Sequence, residues 1–564
     1  MSRSVSALQR LFPFLAWPLP DARLLRSEMT AGLTVAMMII PQGMAYASLA
    51  GMPPVTGIYA SMLPALVAAL YGASPLLSVG PTALTCLLVG SSIAGLAPAG
   101  STGWIDLAVW LALLSGALQV LLGLLRFGWL LNLISAPVLM AFTQSAAMLI
   151  IASQVPALLG VRGGAPWWDL TAVHPLSAAF GLVSLAVLWA LRRWKPGFPT
   201  VLVAVAASSG IGWWIGFAES GGAVVGPVPE GLPAPYLPSV PSSAVLGELL
   251  LPVLAITLVS FLETASSARV ESERAGRPWD QNRDLIGQGL AKVASGFSGA
   301  FPTSSSFSRS ALNLYAGART GWASVASVVF VTGVLLFLTP LLRHAPRPVL
   351  AAIVLAAVIG MIRPGEFFRV WKASRAEALI AGATVAITLA TAPDLYWGVL
   401  AGVVMALSHS IYQRLHPRII EVGLHPDGSL RDRHLWTLEP IGAGVYAVRM
   451  DAALDFATAP AFERAVIEYL GVHPETRAVC LFAQSINRID ATGAEVFVKL
   501  CNRLRAHGIA FHVTGLKLPV ERVLDAVGAL TNPSEPRLHR TDAELIAAVS
   551  IGTRDEGSPR GTRG

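Results

Sequence analysis

The sequence predicts a polytopic α-helical membrane protein of about fourteen transmembrane segments in a seven-plus-seven inverted repeat, followed by a small cytosolic α/β domain. Three observations carry that expectation. Of 564 residues, 54% are hydrophobic and only 13% charged, whereas soluble globular chains carry about 25% charged residues. Apolar segments, many near the ~20 residues that span a bilayer, recur from about 30 to 412. Two shorter ones open alike, Ser78-Val79-Gly80-Pro81-Thr82 and Gly299-Ala300-Phe301-Pro302-Thr303. Paired, Gly/Pro-interrupted segments at matching places in two halves point to a site at the midplane of an inverted-repeat fold.

Taken in order, the first segment covers about Thr30 to Ala50 and is broken at Pro41-Gln42-Gly43. Others lie near 55–72, 81–97, 105–125, 129–155, 174–191 and 199–217, and, after a polar proline-rich loop, near 246–268, 285–300, 303–316, 321–342, 347–362, 376–392 and 394–412. This gives a cytosolic segment over 1–28 and a transmembrane domain over 29–413, with repeats of about 29–217 and 246–413. Arg3, Arg10, Arg23 and Arg26, then Arg126, then Arg192, Arg193 and Lys195, then Arg269, Arg274, Arg277 and Arg283 mark alternate loops as cytoplasmic. Arg343 and Arg347 fall on the opposite side. The balance predicts a multi-pass protein of the cell (inner) membrane with both termini in the cytoplasm.

Beyond Ser410 the pattern changes. Residues 414–435 read as a polar linker with a turn at His425-Pro426-Asp427-Gly428. Residues 436–550 alternate strand and helix: strands at Val445–Met450, Ala478–Phe482 and Ala510–Val513, helices from Thr458, from Asp490 and over Val520–Val527, and a capping box Thr541-Asp542-Ala543-Glu544 opening the last helix. The Gly/Arg/Ser-rich stretch 551–564 is expected to be a disordered tail.

Several function classes are excluded. The net charge of +7 is modest for the length and no clustered basic and aromatic face accompanies it, which excludes a nucleic-acid partner. Cys86, Cys480 and Cys501 form no CxxC pair, and the ten histidines show no HExxH, so no metal site is expected. No Walker loop or nucleophile pattern is present, so no cofactor, catalytic residue or enzyme activity is expected.

What the sequence offers instead is an anion site. In Gly299–Asn313, Pro302 is placed to open a helix, whose first N–H groups and partial positive charge face outward. Ser306, Phe307 and Ser308 belong to its first turns and Arg309 follows about two turns on. Arginine deep in a membrane is costly and faces a cavity or partner, and its planar fork suits an oxyanion; a structural ion pair with Glu263 is the alternative. Thr82, after Pro81, is the facing candidate, or else a helix cap. Gln42 and Tyr46 are four apart, hence on one helix face, and both can donate to an oxyanion; packing is the alternative for Tyr46. Glu263 follows a long apolar run, where burial and a nearby arginine pull its titration in opposite directions. Ser267, one turn on, is a candidate helper for a coupled cation.

These residues resemble the SulP (sulfate permease) family of anion transporters. Pro41-Gln42-Gly43-Met44-Ala45-Tyr46 looks like its first-helix signature, and Asp284-Leu285-Ile286-Gly287-Gln288-Gly289 and Ser306-Phe307-Ser308-Arg309-Ser310-Ala311-Leu312-Asn313 like its signatures before and on the tenth helix. The C-terminal domain resembles the STAS domain, with Ile489-Asp490-Ala491-Thr492-Gly493 at its usual loop. The resemblance implies a core domain that slides as an elevator against a gate domain, and a homodimer. It places substrate at Gln42, Tyr46, Thr82 and Ser308–Arg309 and ion coupling at Glu263. It favours sulfate driven by a proton rather than sodium, with sodium-coupled bicarbonate, C4-dicarboxylate transport or an uncoupled anion channel or sensor as rivals. Thr492 lies where related STAS proteins are phosphorylated, but Ala491 replaces the first hydroxyl of the usual pattern, and Asp490 reads better as a helix cap.

Overall fold

Helix α1 (Ala22–Leu49) opens at Asp21, whose side chain accepts from the Leu24 N–H, and runs 28 residues straight through Pro41. The break expected at Pro41 is therefore absent. Proline withholds one N–H, here from the carbonyl of Met37, but membrane helices tolerate that where neighbouring elements surround the site, and Ile39 to Ala47 is buried throughout. The expected 55–72 segment instead divides into α2 (Pro54–Tyr59) and α3 (Leu63–Tyr71), each with a proline in its first turn.

The described residues of this computed structural model are 12–161, 170–194, 199–226, 231–276, 278–337, 339–530 and 536–551. Parts of the expected 1–28 segment and 551–564 tail, and Arg3, Arg10, Lys195 and Arg277 among the orientation residues, lie outside them. The chain forms two compact units, 1–406 and 407–564.

The first unit continues with α4 (Ala83–Ile93), α5 (Thr102–Leu124), α6 (Ala136–Leu159), α7 (Pro175–Trp194), α8 (Thr200–Trp214), α9 (Ser243–Ala275) and α10 (Gln281–Phe297). It then runs through α11 (Phe307–Tyr315), α12 (Trp322–Phe337), α13 (Arg347–Val358), α14 (Pro364–Ala373) and α15 (Arg375–Ala390), and α16 (Tyr396–Leu415) leads out of it. Among the described residues, six helical stretches are long and apolar enough to cross a membrane. The helices α4 and α11 are not: their 11 and nine residues make about 16 and 14 Å, together roughly one ~30 Å hydrocarbon core. Helix α14 was not expected. It is amphipathic, with Phe367, Phe368 and Trp371 against Glu366, Arg369 and Lys372, and none of its residues is buried, the composition of a helix lying in a membrane interface.

Helices α5 and α10 touch backbone to backbone through Gly116 and Gly289: a Cβ on either would lie 2.7 Å from the carbonyl oxygen of the other. Two buried carboxylates fix the connections. Asp284 accepts from Ala73 N (2.7 Å), Ser74 N (3.1 Å), Ser74 Oγ (2.6 Å) and Trp279 Nε1 (2.7 Å). Glu28 on α1 accepts from Arg319 N and Thr320 N at 2.9 and 3.0 Å.

The second unit is one six-stranded sheet. Strands β3 (Ile419–Leu424) and β4 (Leu430–Asp432) form a hairpin, followed by β5 (Val445–Met450), β6 (Ala478–Phe482), β7 (Ala510–Thr514) and β8 (Arg537–His539), with order β4-β3-β5-β6-β7-β8. Pairing is parallel from β5 to β8 and antiparallel at β3. The stretch expected as a linker, 414–435, thus contains the hairpin that completes the sheet. Side chains alternate as a two-residue period demands. Tyr446 and Val448 face the cluster of helices α17 (Ala459–Val472), α18 (Ala491–Ala506) and α19 (Leu518–Ala526), while Val445 and Ala447 face α20 (Asp542–Ile551). In the expected capping box the Glu544 N–H donates to Thr541 Oγ1 (3.2 Å), and the Glu544 carboxylate accepts from Arg540 N at 2.9 Å.

Two expectations follow. Gly289→Val has no room against the Gly116 carbonyl and should separate α5 from α10 at a cost of roughly 1–3 kcal/mol or more, read as a lower unfolding temperature in detergent; an unchanged temperature would refute the contact. In the sheet, His512 on β7 is 4% exposed and its Nδ1 lies 2.9 Å from His539 Nε2 on β8. Burial, then His539 and Arg537, push His512 down to about 4. Below the ordinary value near 6.5 the unfolded chain takes up a proton that the folded one refuses, so stability present above ~6.5 is lost between ~6.5 and 4. Pulse proteolysis of the C-terminal unit in the full chain should show that loss, of about 2–3 kcal/mol, and His512→Asn should abolish it.

Candidate functional site

The two short helices are brought together by two pairs of residues. Strand β1 (Val79–Gly80) pairs antiparallel with β2 (Ser304–Ser305), Val79 opposite Ser305 and Gly80 opposite Ser304. The Ser306 N–H extends the pairing to the Ser78 carbonyl (3.0 Å). Side chains then stitch α11 to the same strand: Ser310 Oγ accepts from Ser78 N (2.9 Å) and Asn313 Nδ2 donates to Leu76 O (2.9 Å). Helices α4 and α11 each leave this pairing within three residues, so their first-turn N–H groups start from one place.

The pairing changes where the helix opens. Pro302 is not its first residue: 302–306 is an extended lead-in, Ser306 is the N-cap, and Arg309 stands in the first turn rather than two turns on. Neither Ser306 nor Thr82, the N-cap of α4, spends its hydroxyl on capping. Ser306 Oγ lies 3.3 Å from Ser308 Oγ. Thr82 Oγ1 donates to Glu263 Oε2 (2.9 Å), joined by Thr85 Oγ1 (3.2 Å).

A cavity of about 770 Å³ opens here, and Gln42, Tyr46, Thr82, Glu263, Ser305, Ser306, Phe307 and Ser308 line it. Thr34, Met37 and Met38 continue the α1 wall at the helical spacing that joins Gln42 to Tyr46. Gln42 and Tyr46 are nearly buried, at 4% and 5% exposure, while Phe307, at 56%, projects its ring.

Arg309 is not part of the lining. Its side chain is 1% exposed and lies behind β1, next to Gly80: a Cβ there would be 3.5 Å from Nη2, an ordinary contact distance. Nε donates to Ser78 Oγ (3.3 Å), and Nη2 has no hydrogen-bond partner. The ion pair with Glu263 does not form as a contact, because Glu263 is held by the two threonines and Arg309 by Ser78. Gln42 Oε1 and Ser305 Oγ are likewise buried without partners. Such orphaned groups cost free energy unless something occupies the site.

Ser267 is not brought to the cavity: it is 3% exposed and its hydroxyl returns to the Glu263 carbonyl at 3.3 Å. Ser266, one residue earlier, lines the cavity instead, a 100° difference around the helix. Two groups were missed from sequence. Thr85 shares a helix face with Thr82 and could have been found by the i, i+3 spacing. Lys292 is a second fully buried cation, on α10, legible only as an ionisable residue in an apolar helix. In the second unit Asp490 caps α18, accepting from Gly493 N (2.8 Å) and Phe456 N (2.9 Å). Those N–H groups, Gly493 foremost, hold its carboxyl below the usual range, and Thr492 is exposed on the first turn.

The chain is similar to known proteins over nearly its whole length. Residues 25–384 match the sulfate permease family and 440–543 the STAS domain. A probable sulfate transporter of Mycobacterium tuberculosis is 32% identical over 537 residues, covering 93% of this chain and 95% of that protein. The chloroplastic sulfate transporter 4.1 of Arabidopsis thaliana is 30% identical, covering 91% of this chain and 78% of that one. The fold matches the murine solute carrier 26 family member A9 anion transporter, solved in the inward-facing state, with TM-score 0.86 at 20% identity, covering 96% and 95% of the two chains. It also matches the transmembrane domain of a cyanobacterial bicarbonate transporter, with TM-score 0.58 at 21% identity, covering 68% of this chain and 98% of that one. A helical membrane unit with two interrupted helices meeting at a polar cavity, joined to an α/β unit, agrees with these likenesses: the chain belongs to the sulfate permease family and is a multi-pass membrane anion transporter with a C-terminal STAS domain, not an enzyme.

Proposed function

We propose that the chain is a secondary active transporter that takes up sulfate across the cell membrane, driven by protons, with both termini cytoplasmic and two copies forming a homodimer. The observation that carries the anion site is the β1–β2 pairing, which aims the first turns of α4 and α11 at one cavity with an arginine Nη2 unpaired behind it. Backbone N–H groups at two helix starts replace part of an oxyanion's hydration. Ser306, Ser308, Gln42 and Tyr46 add side-chain donors to the wall. Phe307 closes one side with an apolar ring. Arg309 acts through charge rather than contact, since it stays behind the strand.

Sulfate is favoured over the rival substrates by the relatives, which are sulfate transporters across more than nine-tenths of this chain. Glu263 supports proton coupling because its carboxylate sits in the cavity wall and is held by hydroxyls, not by a permanent cation. Deprotonated, it repels an entering anion; protonated, it removes one negative charge from the wall. A proton and the anion therefore bind in each other's favour, which is the reciprocity coupling requires. The elevator reading rests on the architecture. The two short helices and the α9–α10 pair carry the site together, so they can move as one body against the α13 wall, where Ile353, Ala356 and Ala357 present apolar side chains to the cavity.

Two experiments test this. In proteoliposomes, labelled-sulfate counterflow should be saturable, and Arg309→Ala should reduce it at least tenfold, as expected for loss of a buried charge facing an anion; robust bicarbonate or succinate flux without sulfate flux would sink the substrate assignment, and a large uncoupled current would favour a channel. Glu263→Gln should abolish sulfate accumulation driven by an inward proton gradient while leaving exchange measurable. Accumulation surviving in that variant at the wild-type level would make Glu263 structural only.

A further inference from the structure

Lys292 is unexplained by the site described so far. It is fully buried, at 0% exposure, on α10. Its Nζ donates to Gln119 Oε1 on α5 (2.7 Å) and to Ser260 Oγ on α9. Neither partner carries a charge, so the amine of Lys292 is held in the membrane unit by neutral ligands only. The close approach at Gly116 and Gly289 makes this geometry: Gln119 is one turn after Gly116, Lys292 one turn after Gly289, and a Cβ on Gly116 would lie 3.0 Å from the Lys292 Cβ.

Tying three helices together does not require a charge. A glutamine at 292 could make the same two hydrogen bonds without desolvating an ammonium, which costs several kcal/mol when no counter-charge is in contact. A buried cation kept at such a cost has a function by default, and its partner is sought nearby. The connections lead to the anion site. Ser260, which Lys292 holds by its hydroxyl, accepts at its carbonyl from Ser304 Oγ (3.1 Å), and Ser304 is the β2 residue opposite Gly80. Glu263, one turn further along α9, is near enough for its charge to act on Lys292. The region behind the β1–β2 pairing thus holds two cations, Arg309 and Lys292, against one carboxylate.

We infer that Lys292 is a specificity-determining residue of the transport site: in its protonated form it never touches the substrate but sets the charge of its surroundings so that a doubly charged oxyanion is preferred to a singly charged one. With Glu263 ionised the three groups sum to a single positive charge, and with Glu263 protonated they sum to two, the number a dianion neutralises. A unit charge about 10 Å from an anion, at an effective dielectric near 20, separates a dianion from a monoanion by roughly tenfold. This inference rests on the anion-site assignment above and deepens it from a named anion to a charge class.

The test compares a dianion with a monoanion on one protein. Full-length protein in detergent is titrated with sulfate and with nitrate at constant ionic strength, reading thermal stabilisation, and the ratio is checked by competition against labelled-sulfate counterflow in proteoliposomes. In Lys292→Gln the apparent affinity for nitrate should fall roughly tenfold and that for sulfate at least tenfold further, so that the preference for sulfate over nitrate drops about tenfold. Lys292→Arg, which keeps the charge, should restore most of the sulfate preference. Gln119→Glu, which leaves the lysine in place and neutralises it, should lower the preference as Lys292→Gln does, and it carries the test if Lys292→Gln fails to fold. Equal loss for both anions, or an arginine variant that behaves like the glutamine one, overturns the inference and leaves Lys292 a packing residue. A wild-type preference for sulfate that survives Lys292→Gln or Gln119→Glu overturns it while leaving the sulfate site standing. A wild-type protein that binds sulfate no better than nitrate overturns both.

Discussion

The site depends on a sheet of two residues a side. Inside a bilayer an unpaired backbone N–H or carbonyl costs several kcal/mol, so a helix cannot simply stop at mid-depth. The pairing of Val79–Gly80 with Ser304–Ser305, extended by Ser306 N to Ser78 O, satisfies each half's extended lead-in with the other's. That solution works only if two interrupted segments enter from opposite sides. The inverted repeat is therefore the condition for ending either helix at this depth. Once the lead-ins are paired, the first-turn N–H groups of both helices remain unsatisfied at one point, which supports the proposed anion site without any dedicated ligand loop.

The same economy governs the charged groups. Arg309, Glu263 and Lys292 are each held by neutral partners: Ser78, the pair Thr82 and Thr85, and Gln119 with Ser260. Contact ion pairs would have been more stable in a low dielectric, but they would also have cancelled the field that an anion must feel. Hydroxyls and amides fix the positions of the charges and leave them uncancelled. The hydroxyls of Thr82 and Ser306, which a soluble helix would spend on capping, are available because the caps are replaced by the strand pairing and the cavity.

Much of this was legible in the sequence, for reasons that also mark the limits. The paired Pro-Thr openings at Pro81-Thr82 and Pro302-Thr303, Arg309 and the Gln42–Tyr46 spacing are departures from an apolar background, and departures are visible. Pro41 reads in sequence as a break, yet a proline in an otherwise apolar helix withholds only one hydrogen bond when neighbours pack around it. Pro302 was misplaced by one strand: sequence shows that a helix starts nearby, but not that Ser304 and Ser305 have a distant partner that delays it. Ser267 does not line the cavity, because a spacing has no phase until one residue's direction is known, and Ser266 holds the cavity side. Within 414–435, β3 is mostly apolar with four consecutive buried residues, whereas its partner β4 has all three residues half-buried and shows no strong alternation, so the hairpin was not legible as a pair.

Lys292 shows what a single sequence conceals most effectively. In Leu290-Ala291-Lys292-Val293-Ala294 it resembles any lysine near a helix end that snorkels to water. The structure decides otherwise: α5 packs against α10 at Gly116, where a Cβ would lie 3.0 Å from the Lys292 Cβ, and the lysine is fully buried. Two glycines bring two helices into van der Waals contact, that contact buries a lysine beside Gln119 and Ser260, and the buried charge cannot be screened by solvent or salt. A charge that cannot be screened acts on whatever anion enters the cavity in front of it. On the inference drawn for Lys292, the choice of anion is made away from the cavity where the anion is proposed to bind.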